Sequence, residues 1–419
     1  MSDADRMDRW RPCSRKCQLA GSACFLLSLS DSVVLMNGPR WCANLASAFL
    51  SRHQPGLGDR IFCTEVGQSD MVFGTGNLVL DSLGDIEKEY TPKVVGVLNS
   101  CSVSLIGDDI KGLCDSQNRS GRHYVCLDSG GLRGEFYEGF QEALGKWIGE
   151  IPFPAVRAVK EKQVNIIGWC RSYPGWEANL AEIRRLLAAI GLEVGVVLGA
   201  DRTTVEECSE KLPEAACNLV LYPELGLPAA RHLERVTGVP YFLCPVPYGF
   251  TGSLAWLRLV MEKVGSSAAL SVVEKEVEEA SSEMGQAVGA LSIPHGKNVW
   301  DALYVALPEG DTLGISMALK REFLPYDRLY CRVDGPCLTG ETIPGTIKGP
   351  FPRLGEKTAL VIGNDFTRIE VGHFQKNAYM NLLLPASPMW PKNKGYAGIR
   401  GWEFFMSDVL SQARRLLEL

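Results

Sequence analysis

Short apolar runs alternate with stretches of helical spacing along most of the chain. The runs 33–36, 94–98 and 164–168 are almost continuously apolar, which predicts strands buried on both faces of a parallel sheet. Further strands are predicted at 123–127, 193–198, 218–222, 241–244, 299–307 and 359–363. Helices are predicted between them at 40–51, 76–90, 135–148, 180–190, 227–237, 266–290, 312–322 and 401–417, and Thr203 with Glu206 has the spacing of a capping box. This alternation predicts an α/β fold with helices on both faces of its sheets.

The stretch 94–110 combines a predicted strand with candidate chemistry. Cys101 lies at the carboxyl end of the strand, and Ser104 with Asp108 and Asp109 fits the start of the following helix. In open α/β sheets, ligands bind at this strand-to-helix turn. Cys101 is therefore a candidate ligand or reactive thiol, and the alternative is an inert buried cysteine.

Two earlier cysteines, Cys17 and Cys42, complete a set with Cys101. Cys42 is the fifth residue of the pattern Gly-Pro-x-x-Cys-Ala at 38–43, and Cys17 lies near the amino terminus. Cys101 opens Cys-x-x-x-Leu-Ile-Gly-Asp-Asp-Ile, and Thr64-Glu65 precedes Asp-x-Val-Phe-Gly at 70–74. With gaps from about residue 13 to the Gly-Tyr-Ala-Gly turn at 395–398, these segments resemble the nitrogenase component 1 family.

The resemblance implies a ligand set and an architecture. In that family the matching cysteines, here Cys17, Cys42 and Cys101, ligate an iron–sulfur cluster at a subunit interface, which is a 4Fe–4S or a P-cluster-like 8Fe cluster shared with the partner subunit. The glycine-rich loop 129–134 lies near the cluster in the family. The implied fold is three Rossmann-like parallel-sheet domains in tandem, expected here at 1–155, 156–292 and 293–419. The implied partners are a paralogous component 1 subunit, in an α2β2 assembly, and an ATPase reductase of the Fe-protein type.

Composition narrows the class of protein. With 419 residues, 46% of them hydrophobic, the chain can bury large cores and is long enough for two or three domains. The net charge of −6 argues against a basic surface that would bind nucleic acid. The polar start is unlike a secretory signal and no apolar run reaches membrane length, so we expect a cytoplasmic protein without a membrane partner.

The chain contains fourteen cysteines, which is many for a cytosolic protein. No Cys-x-x-Cys occurs, which argues against a zinc ribbon or a thioredoxin-type site and favours thiolates scattered over the fold as iron–sulfur ligands. Six of the others are interpreted as structural: Cys170, Cys208, Cys217, Cys244, Cys331 and Cys337.

Neither glycine-rich segment fits a nucleotide site. Gly74-Thr-Gly76 lacks the third glycine of a dinucleotide loop, and 349–358 has one residue too many for a P-loop with Glu356 in place of its lysine. We therefore predict that the chain has no ATP site of its own.

The ligands of the large nitrogenase cofactor are also missing from the places that the resemblance gives them. Tyr222 stands where the cofactor cysteine would follow a strand, although Cys217 or Cys244 could be a displaced ligand. The loop 384–390 contains no histidine, and His373 comes too early. The resemblance then implies a β-like partner without the large cofactor.

The function predicted is that of an oxidoreductase subunit in a nitrogenase-like, ATP-dependent complex. Its cluster would relay electrons from the reductase to a catalytic site mainly in a partner subunit; no catalytic residue is predicted in this chain. The alternatives are a scaffold for assembling a nitrogenase-type cofactor and a homodimeric tetrapyrrole reductase. The relatives considered include methylthio-alkane reductase, dark-operative protochlorophyllide reductase and the F430 reductive cyclase. A periplasmic-binding-like module would leave the three cysteines unexplained.

Overall fold

Three separate four-stranded sheets, each wholly parallel, organise the chain. The computed structural model describes residues 17–51, 58–117, 122–154, 158–200, 202–292, 300–322, 326–352, 358–364, 367, 370–371, 377–382 and 390–417. The predicted α/β class with three Rossmann-like sheets in tandem is confirmed.

The first sheet has the strand order β2-β1-β3-β4. Its strands are β1 (Ser32–Asn37), β2 (Ile61–Cys63), β3 (Val94–Asn99) and β4 (His123–Asp128). Its helices are α1 (Gln18–Leu26), α2 (Arg40–Ser51), α3 (Asp70–Phe73), α4 (Gly76–Glu89), α5 (Cys101–Ile106), α6 (Ile110–Gln117) and α7 (Phe136–Glu150).

The second sheet repeats this order as β6-β5-β7-β8. Its strands are β5 (Lys160–Ile167), β6 (Glu193–Leu198), β7 (Ala215–Val220) and β8 (Tyr241–Leu243). Its helices are α8 (Trp176–Ala189), α9 (Val205–Lys211), α10 (Pro223–Thr237), α11 (Phe250–Val264) and α12 (Ser271–Ser292).

The third sheet has the equivalent order β10-β9-β11-β12. Its elements are β9 (Trp300–Leu307), α13 (Glu309–Arg321), β10 (Tyr326–Val333), β11 (Ala359–Gly363), β12 (Asn377–Asn381) and α14 (Gly398–Leu417). None of the described helices is long and apolar enough to cross a membrane.

Helix α1 determines the position of Cys17, which is the first of the three candidate ligands along the chain. All nine of its residues are buried, although the segment is only weakly amphipathic, because the helix is enclosed by the rest of the chain. It crosses α7 at very close range: a Cβ on Gly21 would lie 1.9 Å from the carbonyl oxygen of Phe136. Cys17, the N-cap of α1, is paired through a backbone bridge with Glu135, the N-cap of α7.

Several sequence predictions need correction. The helix after β3 begins at Cys101 and ends at Gly107, whose φ of 81° is left-handed, so Ser104 lies inside it. A second helix then starts at Ile110, where Asp109 accepts the N–H of Gly112. The capping box forms one residue later than predicted, with Thr204 and Glu207, since two threonines precede two glutamates here.

Three strands were not predicted, namely β2, β10 and β12. Each lies at the edge of its sheet, where one side faces no further described strand. The domain limits 1–155, 156–292 and 293–419 remain a prediction. Several predicted features lie outside the described residues. They are the start of the third predicted domain, residues 353–357 of the P-loop-like segment, His373 and the loop 384–389.

Candidate metal centre

Cys42 and Cys101 lie on either side of the point where the strand order of the first sheet reverses. Strands β1 and β3 are neighbours, and their connections leave in opposite directions. Cys42 lies in the first turn of α2, after β1, and Cys101 is the first residue of α5, after β3. This is the switch point at which open α/β sheets bind ligands.

The loop after β4 brings Cys17 and Cys101 together. A Cβ added to Gly130 would lie 3.0 Å from the sulfur of Cys101 and 2.7 Å from its Cα. A Cβ on the neighbouring Gly131 would lie 3.1 Å from the sulfur of Cys17. Since both sulfurs contact this short loop, it is a cradle that any larger residue would fill.

A row of polar side chains lies at the carboxyl ends of the four strands. The amide nitrogen of Asn37 donates to the oxygen of Asn99 at 3.0 Å, and the amide nitrogen of Asn99 donates to Asp128 at 2.9 Å. The hydroxyl of Thr64 donates to the oxygen of Asn37 at 3.0 Å and accepts the N–H of Gly38 at 3.1 Å. These bonds tie together the turns that carry Cys42, Cys101 and the Gly130 loop, and they hold these turns in place relative to one another.

The thiols of this site affect one another electrostatically. Burial raises the pKa of the Cys42 thiol, and the charges of Cys17, Cys101 and Cys63 raise it further. Cys17 is exposed as a residue, but desolvation around its sulfur raises its pKa as well, against the lowering effect of backbone N–H groups. A metal that binds here must therefore displace thiol protons.

The residues present fit an iron–sulfur cluster better than a single metal ion. Among the described residues, no three His, Cys, Asp or Glu side chains converge closely enough to hold one ion. A cluster needs a different arrangement, because each of its irons takes its own thiolate. Soft thiolates around a glycine-lined cradle provide that donor set, so Cys17, Cys42 and Cys101 would hold the group and the polar row would orient their turns.

Cys63 was missed by the sequence prediction. It ends β2, is half-buried, and is one of the thiolates that act on Cys42. The sequence held one signal, since Cys63 directly precedes the Thr64-Glu65 pair used in the resemblance.

The surface around these cysteines is apolar. Seven of the twelve exposed large hydrophobic side chains among the described residues flank the cysteine turns: Trp41, Leu45, Met71, Val72, Phe73, Leu105 and Leu132. Phe73 is 88% exposed and Leu105 is 77% exposed, and their helices α3 and α5 pack against each other. An exposed apolar patch with this composition is typical of a protein–protein interface.

Aromatic side chains pack closely around Tyr222 and fill the space beside it. The Tyr222 ring meets those of Trp169 at 5.1 Å and Tyr173 at 4.7 Å between centroids, both edge to face. Beside it, Glu224 is fully buried, accepts the hydroxyl of Tyr173 at 3.0 Å, and has its pKa raised to about 8 by burial. Asp311 accepts the hydroxyl of Tyr248 at 2.6 Å, and burial raises its pKa to about 6. The sequence analysis did not identify Glu224 and Asp311, because their hydrogen-bond partners are far away along the chain.

Five of the six cysteines interpreted as structural are buried: Cys170, Cys208, Cys217, Cys244 and Cys331. Burial raises the pKa of Cys217 and of Cys244 to about 12, which makes each a poor thiolate donor without an added charge partner. Cys337 differs, because it is exposed and its thiol donates to Glu309 at 3.3 Å.

Similar proteins were found by sequence and by structure. The nitrogenase iron-molybdenum cofactor biosynthesis protein NifE of Methanococcus maripaludis is 26% identical over 277 residues, which cover 62% of this chain and 54% of that protein. One subunit of the light-independent protochlorophyllide reductase of Pelodictyon phaeoclathratiforme is 28% identical over 202 residues, which cover 48% of this chain and 36% of that protein. The chain thus spans about half or less of the length of these relatives.

A solved structure described as nitrogenase Cp1 at pH 6.5 superposes with a TM-score of 0.74 and 16% sequence identity, covering 97% of this chain and 93% of that one. At that identity the match supports the fold alone. The family profile described as nitrogenase component 1 type oxidoreductase matches residues 17–303. The chain therefore belongs to the nitrogenase component 1 type oxidoreductase family.

Proposed function

We propose that this chain is a subunit of a nitrogenase-like, ATP-dependent reductase complex. Cys17, Cys42 and Cys101 hold an iron–sulfur cluster at the interface with a paralogous subunit, in an α2β2 assembly. The cluster supplies one-electron transfer between an ATPase reductase of the Fe-protein type and a catalytic site mainly in the partner subunit. The observation that carries this proposal is the meeting of the three cysteine turns at one sheet edge, inside an exposed apolar surface.

The residues of this chain have three tasks in that proposal. The cysteines provide soft ligands and release their protons when iron binds. The row of Asn37, Asn99 and Asp128 holds the turns in place. The apolar side chains around the turns, such as Phe73 and Leu105, pack against the partner and exclude water, which shifts the potential of a bound cluster.

The filled surroundings of Tyr222 support the assignment of any large cofactor to another subunit. A phenol is a poor ligand for soft iron, and Trp169 and Tyr173 occupy the adjacent space. Removal of these rings would be needed before a bulky group could enter.

A scaffold for cofactor assembly is the second candidate. It is favoured by the match to a relative that is named as a cofactor biosynthesis protein. The packed core at Tyr222 counts against storage of a cofactor at that position in this chain, although a scaffold could hold its cargo on the partner.

The test is anaerobic purification of the complex from its native operon, with wild-type chain and with Cys42→Ser or Cys101→Ser. We expect bound iron and acid-labile sulfide in the wild type and a loss of at least half of the iron in each variant. Cys126→Ser is the matched control, because Cys126 is also half-buried but packs against the second core of the same sheet. Full iron content in both site variants would contradict the proposal, and molybdenum in the wild-type complex would favour the scaffold.

A further inference from the structure

We propose that Cys24 and Cys170 form a buried dithiol that hydrogen peroxide oxidises to a disulfide, which fastens α1 to the second sheet. The inference goes beyond the proposed function, because neither cysteine belongs to the candidate ligands. The two sulfurs lie 3.8 Å apart, although the cysteines are 146 residues apart along the chain. A disulfide holds its sulfurs about 2 Å apart, so the two sulfurs need to approach by about 2 Å.

The fold brings the two thiols together from separate parts of the chain. Cys24 lies in α1, which is held by its close crossing with α7, and Cys170 lies in the turn between β5 and α8. The N–H of Trp169 donates to the carbonyl oxygen of Leu198 at 2.8 Å. The N–H of Tyr173 donates to the carbonyl oxygen of Cys170 at 3.2 Å. Since both backbones are held, the reaction between the two sulfurs is intramolecular and needs no large rearrangement.

The surroundings of the two thiols are different. The hydroxyl of Ser172 lies 3.5 Å from the sulfur of Cys24. The hydrogen bond from Cys170 lowers the pKa of Cys24 against the effect of burial, and Ser172 with the positive charge of Arg171 lowers it further. Burial and the bond to Cys24 raise the pKa of Cys170 well above its ordinary value. Cys24 is therefore the nucleophile, and Cys170 is the resolving thiol beside it.

Burial restricts which oxidant can reach the pair. Cys24 is 5% exposed, and Cys170 has no exposed surface. A bulky disulfide such as oxidised glutathione must place one of its sulfurs directly against the attacking thiolate, and the packing around this pair prevents that. Hydrogen peroxide is close to water in size, so a small local opening of the structure admits it. The oxidant is therefore a small peroxide.

The reaction takes two steps. The Cys24 thiolate attacks one peroxide oxygen and the O–O bond breaks, which gives a sulfenic acid and a hydroxide that takes up the proton released by Cys24. The Cys170 sulfur then attacks the Cys24 sulfur, the S–O bond breaks, and the oxygen leaves as water with the Cys170 proton. The two sulfurs together lose two electrons, and one peroxide is reduced to two waters.

The disulfide should change the stability of the chain. It joins cysteines that are 146 residues apart, which constrains the unfolded chain and thereby favours the folded one. It also ties down α1, whose N-cap is Cys17. After peroxide treatment the wild type should unfold at a higher urea concentration than before, whereas Cys170→Ser treated in the same way should show no such rise. An unchanged or lower midpoint in the linked wild type would overturn the fastening role.

Peptide mapping of the full-length, iron-free chain tests the link, because iron would itself react with peroxide. The chain is treated with hydrogen peroxide, unfolded, alkylated with iodoacetamide and digested with trypsin. We expect the tryptic peptide 17–40 to be linked to 163–171 in about half of the chains or more, with fragment ions that place the link at Cys24 rather than at Cys17. Buried Cys208, whose thiol donates to Thr203 at 3.2 Å, should remain open to alkylation.

Two results of this mapping would overturn the inference. The first is that Cys24 and Cys170 are both still alkylated after exposed Cys337 has been fully oxidised, which would mean that the pair only packs in the core. The second is an equal yield of the link when the chain is oxidised in urea, which would mean that the fold does not bring the thiols together. Both results come from the wild type, so they do not depend on the folding of a variant.

Serine variants test the separate roles of the two thiols. In Cys170→Ser the sulfenic acid at Cys24 has no resolving thiol, so dimedone should trap it there. In Cys24→Ser, dimedone should leave Cys170 unmodified. The matched control is Cys208→Ser, which removes another buried thiol and should form the link as the wild type does. Trapping at Cys170 and not at Cys24 would reverse the roles and contradict the assignment, and a link that oxidised glutathione forms as fast as peroxide would contradict a small oxidant.

Discussion

Replacement of Glu224 by glutamine should abolish a large part of the pH dependence of stability around neutral pH. Glu224 has no exposed surface, and its two oxygens accept the hydroxyl of Tyr173 and the N–H of Gly310, each at 3.0 Å. Burial raises its pKa to about 8, and the nearby Asp311 contributes to the rise. A protonated carboxyl keeps both contacts, because its O–H can donate to the phenol oxygen of Tyr173.

The sign and size of the effect follow from proton linkage. The folded chain holds this proton up to about pH 8, whereas the unfolded chain releases it near pH 4.5. Stability contributed by the protonated form therefore falls as pH rises through this window, since the unfolded state binds fewer protons. Between about pH 6 and about pH 8, Glu224 should reduce the free energy of unfolding by about 2 kcal/mol.

Urea unfolding across that pH range measures the effect. Glutamine is a neutral mimic of the protonated carboxyl. Between about pH 6 and about pH 8, the free energy of unfolding should therefore fall by about 2 kcal/mol less in Glu224→Gln than in the wild type. Glu278→Gln, on the exposed face of α12, is the matched control and should keep the wild-type slope. An identical slope in Glu224→Gln and wild type would show that Glu224 is already ionised in the folded chain, and the reasoning from burial would be refuted.

Four further predictions concern the candidate site and the assembly. Asn99→Ala leaves Asn37 and Asp128 without one partner each, so it should lower the free energy of unfolding by about 1–3 kcal/mol in urea; a change near zero would mean that the polar row adds nothing. Gly130→Ala places a Cβ 2.7 Å from the Cα of Cys101 and should lower iron content while circular dichroism stays unchanged; full iron content would show that the loop can shift freely. The native mass of the complex should correspond to a heterotetramer, and a stable homodimer that turns over substrate with only the reductase added would contradict the β-like assignment. The complex should not bind ATP without the reductase, and micromolar ATP binding measured by calorimetry would contradict the predicted absence of an ATP site.

The sequence pattern predicted the central strands well because they are buried on both faces. Strands β3 and β11 are buried at every position, and their apolar runs give the bounds almost directly. The unpredicted edge strands β2 and β10 carry no such pattern, unlike the edge strands β4, β6 and β8, which were predicted. All three residues of β2 are half-buried, and β10 includes Arg328, which is exposed because one side of an edge strand faces solvent.

The candidate site was predictable only where it depends on local sequence. Cys42 and Cys101 follow strands, so their place at the sheet edge could be deduced, although their role as ligands remains a proposal. The bonds between Asn37 and Asn99 or between Glu224 and Tyr173 join residues far apart in the chain. No periodicity reports such pairs, since each depends on which turns the finished fold brings together.

The polar row beneath the cysteine turns has a consequence for the divergence of related sequences. Asn37 uses its amide nitrogen toward Asn99 and Thr75 and its oxygen toward Thr64, so donors and acceptors must match along the row. A substitution that exchanges a donor for an acceptor at one position reverses the bonding requirement of the next. Across homologues, positions 37 and 99 should therefore change together rather than independently, and their co-variation should be stronger than that of either position with the neighbouring cysteines.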